Sequence, residues 1–488
     1  MKSVIEQIFS YVESSPDKVA VSDGKRSFTY AQLVQNVLFS KNILETDCKI
    51  KKGDCVILAS AKELEFVSTY FACHLCGAIA LPIDPETNEK RLSVIFNKTN
   101  PKLIVGLNKQ SDYKTISYNS FENTESANFI PSVNDIQFPD LENIADIIFT
   151  TGTTGLPKGV TLTQKNISAA ALNINSFIKN TSEDVELLAL PVSHSFGLGR
   201  MRCVLSNGQT LILLGSFANM KRFFRYIEEF KVTGFGMVPA SWAMIKKLSC
   251  NKIADFSKQL KYVEIGSAPM PIEDKQLLCS LLPDTRICMH YGLTEASRSA
   301  FIEFHSQNNR LNTVGKETPG MHISIFDENG NILPVNKEGE ICVEGDAVTT
   351  GYFQDIEITR ASFWGKNFRT GDWGQLDNNG YLTLKSRKKE LINVGGKKVS
   401  PIEVEEVLKE FDFVKDCACV AIPDPNGVLG EVVKAFVVTD VPEKLTIENM
   451  TNLIGKQLEA YKLPVQYETI DFIPKTSSGK IQRLALKR

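Results

Sequence analysis

Hydrophobic and polar positions change period repeatedly along the chain. Residues 61–77 are apolar at helical spacing, and Ala78-Ile-Ala-Leu-Pro82 follows as a short apolar run. Residues 91–99 repeat the helical pattern, and Lys102-Leu-Ile-Val105 the strand pattern. Helix and strand in alternation predict layered α/β architecture. Later, Glu340-Ile-Cys-Val-Glu344 reads as a strand, and 326–332 and 376–382 read as hairpins with Asn-Gly at the turn. The large region is therefore expected to end in more antiparallel β structure. Composition shifts at Ser386-Arg-Lys-Lys-Glu390. Beyond it, Pro401 opens a helix, Cys417–Ile422 and Val432–Thr439 read as strands, and 446–458 as a helix, enough for a small α+β domain. The boundary is placed at 385–390.

The chain has 488 residues, 43% hydrophobic and 23% charged, so it can bury large cores without disulfides and is not a disordered chain. A net charge of −2 argues against general nucleic-acid binding, which needs a basic surface. The N-terminus is interrupted by Glu6, Gln7 and Glu13, so it does not read as a signal peptide, and no long apolar run predicts a membrane span. A cytoplasmic location is expected. The 11 cysteines form no framework. Cys73 and Cys76 make a CxxC without a second pair at zinc spacing, so core packing is favoured over a metal site.

The strongest local signal is Phe149-Thr-Thr-Gly-Thr-Thr-Gly-Leu-Pro-Lys-Gly159. A strand at Asp146-Ile-Ile-Phe149 precedes it, and a capped helix near Thr163 follows. Glycines let the backbone aim N–H groups inward, while threonine hydroxyls and Lys158 add donors, which suits a polyphosphate. The loop is neither a Walker A sequence nor a dinucleotide fingerprint.

With this loop, the ordered motifs resemble the acyl-adenylate-forming superfamily of acyl- and aryl-CoA synthetases, stand-alone adenylation domains and luciferase-like enzymes. The motifs are Leu190-Pro-Val-Ser-His-Ser-Phe-Gly197, Val238-Pro239, Gly266-Ser-Ala-Pro269, Tyr291-Gly-Leu-Thr-Glu295 and Phe368-Arg-Thr-Gly-Asp372. Ser386-Arg-Lys-Lys-Glu-Leu-Ile392, Asn393-Val-Gly-Gly-Lys397 and Pro474-Lys-Thr-Ser-Ser-Gly-Lys480 follow. The resemblance covers nearly the whole chain. It implies an α/β fold with a large multi-subdomain N-terminal domain, two α/β sheets plus a β-barrel-like part, and a small mobile α+β C-terminal domain. The implied division is an adenylation core at 1–385, a hinge at 386–390 and a mobile domain at 391–488.

The resemblance further implies ATP-dependent activation of a carboxylic acid to an acyl-AMP, then thioester formation. Thr150, Thr151, Gly152, Thr153, Thr154, Gly155 and Lys158 would hold the β- and γ-phosphates. Glu295 would bind Mg²⁺, and Thr294 would contact the α-phosphate. Ser267, Ala268, Pro269, His290, Tyr291 and Gly292 would surround the adenine. Asp372 would accept from both ribose hydroxyls, with Arg387 beside it. Lys480 would act where charge develops between carboxylate and α-phosphate. Lys389 matches the hinge position, and Gly395 and Gly396 would line a pantetheine tunnel. His194 matches a gate near the acid, with a satisfied buried histidine as the alternative. Arg200 and Arg202 could recognise an acidic group, but pairing with surface carboxylates is favoured. The acid pocket is expected near His194–Gly199, Met237–Ala240 and Gly266. The acceptor is CoA or, alternatively, the phosphopantetheine of a separate carrier protein. A non-catalytic binding protein and a luciferase-type oxygenase are weaker readings.

Overall fold

Fully buried four- and five-residue strands make the centres of two sheets. The structure, a computed structural model, describes residues 1–59, 64–109, 111–123, 135–151, 157–395, 397–426, 428–476 and 479–486. It divides into two compact units: Met1–Ile323 with Val343–Phe368, and Ser324–Cys342 with Arg369–Arg488.

The first unit holds a seven-stranded and a nine-stranded sheet. In the seven-stranded sheet, Ile79–Ile83 pairs in parallel with Cys55–Ala59 on one side and with Ile144–Thr151 on the other. Helices Leu64–Leu75 and Glu89–Thr99 arise where the periodicity predicts them. One element was not read from the sequence. Pro157–Thr163 is a strand, antiparallel to Ile144–Thr151 with Thr150 opposite Lys158. The Thr/Gly segment therefore joins two hairpin strands, and the next helix starts only at Gln164, capped by Thr163. Gly152, Thr153, Thr154 and Gly155 lie outside the described residues.

At the centre of the nine-stranded sheet, Val185–Leu188, Gly234–Met237, Tyr262–Ile265 and Arg286–Tyr291 run parallel. Alternation sorts their side chains. Leu187, Phe235, Met237, Val263, Ile265, Ile287 and Met289 enter one apolar core. Glu186, Gly234, Gly236, Tyr262, Glu264 and His290 occupy the other face, over which helix Ser195–Ser206 lies. A Cβ on Gly236 would stand 3.4 Å from Phe196 and 3.5 Å from Arg200 Cγ. The carboxyl ends of these strands run into Leu190, Val238-Pro239, Gly266 and Gly292, where an open α/β sheet offers its crevice.

The second unit contains the hairpin strands Asn367–Leu376 (from Arg369 on) and Leu382–Arg387. It also contains a three-stranded sheet of Asp416–Pro423, Glu431–Val438 and Gln466–Thr469. Pro401–Leu408, Ile447–Ile454 and the short Arg483–Leu486 are helices of this unit, and Ile392, Val399, Val404, Leu408 and Val433 share one core. Both expected hairpin turns exist, but aspartate organises them. Asp377 Oδ1 accepts from the Asn379 and Tyr381 N–H groups, and Asp327 Oδ1 from Asn329 and Asn331. The glycines of the two turns, Gly330 and Gly380, take positive φ.

Close packing at Gly234 is a sharp constraint, because a Cβ there would lie 2.2 Å from the Tyr262 ring. Gly234→Ala is expected to destabilise the fold by about 1–3 kcal/mol, read as a lower urea midpoint with unchanged m-value. An unchanged midpoint would show that the ring moves away freely.

Candidate active site

The seven-stranded sheet meets the Tyr291–Glu295 strip, which extends the nine-stranded sheet, through side chains. Lys158 Nζ lies 5.3 Å from the centre of the Tyr352 ring, and the Tyr352 hydroxyl donates to Glu295 Oε1 at 2.8 Å. Burial and the Glu295 carboxylate push the Tyr352 hydroxyl pKa well up, so it remains a donor. Glu295 is also held by its backbone, whose carbonyl accepts from Thr349 N–H at 2.7 Å. Thr150 is half-buried at the strand end. The strand before the loop is fixed by Arg91, whose Nη2 donates to the Phe149 carbonyl at 3.0 Å.

Thr294 faces the start of helix Ser195–Ser206, its Oγ1 being 3.1 Å from Ser195 Oγ. His194 is that helix's N-cap residue. It is exposed rather than a buried histidine. Tyr291 is buried, and Ser267 holds φ +76° in the Gly266–Pro269 turn. Gly266 is required by the imidazole beside it, since a Cβ would be 2.1 Å from His290. Gly292 is required by the returning chain, because a Cβ would be 2.5 Å from Arg298 N.

Beneath these groups lies a buried charge cluster that pattern reading did not find. Glu264 Oε1 takes Arg298 Nε at 3.0 Å and lies 2.7 Å from His290 Nδ1. Glu264 Oε2 lies 3.1 Å from Arg200 Nη1. Arg200 also donates through Nε to Glu186 Oε1 at 2.8 Å and through Nη2 to Glu186 Oε2. Tyr262 donates its hydroxyl to Glu186 Oε2 at 2.6 Å. Burial opposes the charge on Glu264, but Arg298 and Arg200 outweigh it and hold the carboxyl well below its ordinary range.

The expectation for Arg200 and Arg202 is corrected in one respect. Both pair with carboxylates, but the carboxylates are buried, not at the surface. Arg202 donates to Asp146 Oδ2 and, at 2.8 Å, to the Tyr70 hydroxyl. His74 Nε2 lies 3.1 Å from Asp146 Oδ1. Cys73 is buried in the same helix, and burial pushes the Cys76 thiol up to about 12. Among the described residues, no group of three or more His, Cys, Asp or Glu is arranged to hold a metal.

In the second unit, Asp372 and Arg387 are directly opposed across the hairpin, with Arg387 Nε 2.8 Å from Asp372 Oδ1. Asp372 is almost fully buried. Gly395 has φ +58° and donates its N–H to the Leu429 carbonyl at 2.9 Å. Gly396 and the Lys389 side chain lie outside what is described. Lys480 is exposed on a tight turn, where its N–H donates to Thr476 Oγ1 at 3.1 Å and its carbonyl accepts from Thr476 N–H at 2.8 Å. Behind it stands a clamp that the sequence reading missed. Arg483 donates through Nη2 to both Glu405 oxygens, at 2.7 and 2.8 Å, and through Nη1 to Glu390 at 3.0 Å.

Residues 8–353 match the model of AMP-binding enzymes, and residues 403–480 match the AMP-binding enzyme C-terminal domain. The chain belongs to the AMP-binding enzyme family. It is an AMP-forming acid–thiol ligase. It is 28% identical to oxalate–CoA ligase from Saccharomyces cerevisiae, over 88% of this chain and 86% of that protein. It is 30% identical to 4-coumarate–CoA ligase 2 from Nicotiana tabacum, over 95% of this chain and 89% of the relative. The fold matches ATP-bound MatB from Rhodopseudomonas palustris with a TM-score of 0.86 at 23% identity, covering 99% of this chain and 98% of that one. It also matches the o-succinylbenzoate coenzyme A synthetase (MenE) of Bacillus subtilis, with a TM-score of 0.85 at 24% identity, covering 99% of each chain. The expected superfamily and fold class are thereby established. Among the described residues, no helix is long and apolar enough to cross a membrane.

His290 gives the ligase a pH signature. Burial lowers its pKa below 6.5, and the Glu264 hydrogen bond opposes only part of that shift. Below that value the unfolded chain takes a proton that the folded chain refuses, so acidification favours unfolding. Stability is expected to start falling as the pH drops through about 6.5, by at most about 1.4 kcal/mol per pH unit from this group. Denaturant titrations at each pH should show a shallower decline in His290→Gln; an identical slope would remove His290 as a source.

Proposed function

We propose that the chain activates a carboxylic acid with ATP and Mg²⁺ and transfers the acyl group to coenzyme A. The observation that carries this reading is the connected set Lys158, Tyr352 and Glu295, which joins the flank of the Thr/Gly loop to the acidic end of the Tyr-Gly-Leu-Thr-Glu strip. Two anions must approach each other in the first step, so cationic and donor groups have to converge on the phosphates. Lys158 supplies one such charge. Glu295 uses one oxygen for Tyr352 and has further acceptor capacity for a hard cation that keeps water and phosphate ligands. When bound there, Mg²⁺ would neutralise phosphate charge.

In this reading, Thr150–Gly155 and Lys158 hold the β- and γ-phosphates, and Thr294 the α-phosphate. Ser267–Pro269, His290, Tyr291 and Gly292 form the adenine site. Asp372 accepts from the ribose hydroxyls, with Arg387 holding its carboxylate. The acid's oxygen attacks the α-phosphorus and pyrophosphate leaves, while Lys480 balances the growing charge. The thiol then attacks the carbonyl carbon, and AMP leaves with the attacking oxygen. His194 stands near the acid as a gate. Residues 1–385 form the adenylation core, 386–390 a hinge and 391–488 the mobile domain, with Gly395 and Gly396 facing the acceptor arm. CoA is preferred to a carrier protein because the relatives compared are named CoA ligases.

Pyrophosphate exchange and thioester formation across a panel of acids test the reading. Activity dependent on ATP, Mg²⁺, acid and CoA is expected. Exchange without thioester on CoA, but with thioester on a phosphopantetheinylated carrier, would overturn the acceptor. In Lys480→Ala, exchange is expected to fall about 100–1000-fold while ATP still binds. Undiminished exchange would remove Lys480 from the adenylation step.

A further inference from the structure

The acid's carboxylate must reach the α-phosphate beside Thr294, and Ser195 Oγ lies 3.1 Å from Thr294 Oγ1. The acid's tail therefore starts at the amino end of helix Ser195–Ser206 and has two faces of that helix to follow. On the face toward the nine-stranded sheet, Phe196 and Arg200 meet the Glu264 cluster. Arg298 folds over this face. Its guanidinium lies 4.8 Å from the Phe196 ring centre, its Nη2 donates to the Phe196 carbonyl at 3.2 Å, and its Nη1 would be 2.6 Å from a Cβ on Gly199. Phe196 closes the remaining gap by standing edge-on to His290 at 4.7 Å. On the opposite face, the cavity shared by Leu162, Ile167, Ala170, Gly199 and Thr294 offers about 20 Å³, room for about one water.

Charge balance in the cluster is equally restrictive. Two carboxylates, Glu186 and Glu264, face two guanidinium groups, Arg200 and Arg298. Burial keeps His290 toward its neutral form. No net positive charge remains to hold a second carboxylate, and a buried anion without a partner is costly. We propose that Arg298, anchored by Glu264, sets the depth of the acid pocket and restricts the ligase to short monocarboxylic acids with an uncharged tail. This rests on the acid-activating function proposed above. Arg298 acts here as a specificity-determining residue. Its position on Gly199 and Phe196 is fixed by the Glu264 carboxylate, so removing either partner opens the same space.

The test is acid-dependent pyrophosphate exchange with acetate, propionate, butyrate, hexanoate, octanoate, malonate and succinate. The wild-type enzyme is expected to prefer the two- to four-carbon monoacids. The charge-matched variant Glu264→Gln/Arg298→Ala leaves Arg200 paired with Glu186. It should raise the hexanoate-to-propionate ratio of kcat/KM by roughly 10-fold or more. Arg298→Lys, which keeps a long cationic side chain, should stay near the wild-type profile. Wild-type preference for hexanoate, octanoate, malonate or succinate overturns the proposal without any variant. So does an unchanged ratio in the active double variant. Failure of the wild-type enzyme to exchange with any acid, these or the broad panel, would instead reject acid activation itself, and this proposal with it.

Discussion

A single buried carboxylate organises the candidate active site. Glu264 sits on a central strand with no access to water, and it holds Arg200, Arg298 and His290 together. Charges buried this way add little net stability, because desolvation consumes most of the attraction. They do fix geometry, since each partner left alone would be an uncompensated charge. Here that geometry links three separate stretches: the helix after Leu190, the turn at Gly266 and the strip at Tyr291–Glu295. The glycines at 234, 236 and 266 leave the volume that these large polar side chains fill. The elements proposed to bind nucleotide and acid are thus positioned by a buried floor of paired charges.

Above this floor, the groups suited to nucleotide chemistry are held by weaker, half-buried contacts. Lys158 rests on an aromatic face, and Glu295 shares its carboxylate with one hydroxyl. Such groups can be displaced by phosphate and metal at low cost, as substrate-binding groups must be. The second unit follows the same division. Lys480 is exposed on a tight turn, while Arg483, three residues later, is nine-tenths buried in a clamp with Glu405 and Glu390. The clamp ties the C-terminal segment to the helix at Pro401–Leu408 and to the 386–390 stretch. A buried anchor thus lies three residues from the exposed lysine proposed for the adenylation step.

Local signals made much of this legible from sequence. Helices 64–75 and 89–99, the capped helix after Thr163, the helix opened by Pro401 and the two hairpins with Asn-Gly at the turn follow from spacing and turn chemistry. The motif order supplied the family. The strand Pro157–Thr163 escaped because its opening Pro-Lys-Gly reads as loop, and the strand is specified by pairing with Ile144–Thr151 instead. Glu264, Arg298, Tyr352 and Arg483 escaped for a related reason. Their partners are 34, 57 and up to 93 residues away, and a charged or aromatic residue in isolation carries no sign of a distant counterpart. Arg200 and Arg202 show how burial changes meaning: surface pairing was the default, yet the sheet supplies Glu186, Glu264 and Asp146 at depth.

The ligase chemistry is tested most directly by following oxygen. When the enzyme turns over a carboxylic acid labelled with ¹⁸O in both carboxylate oxygens, together with ATP and CoA, mass spectrometry of the products should find one labelled oxygen in AMP and none in pyrophosphate. Label absent from AMP, or present in a phosphate or pyrophosphate product, would contradict attack of the carboxylate on the α-phosphorus.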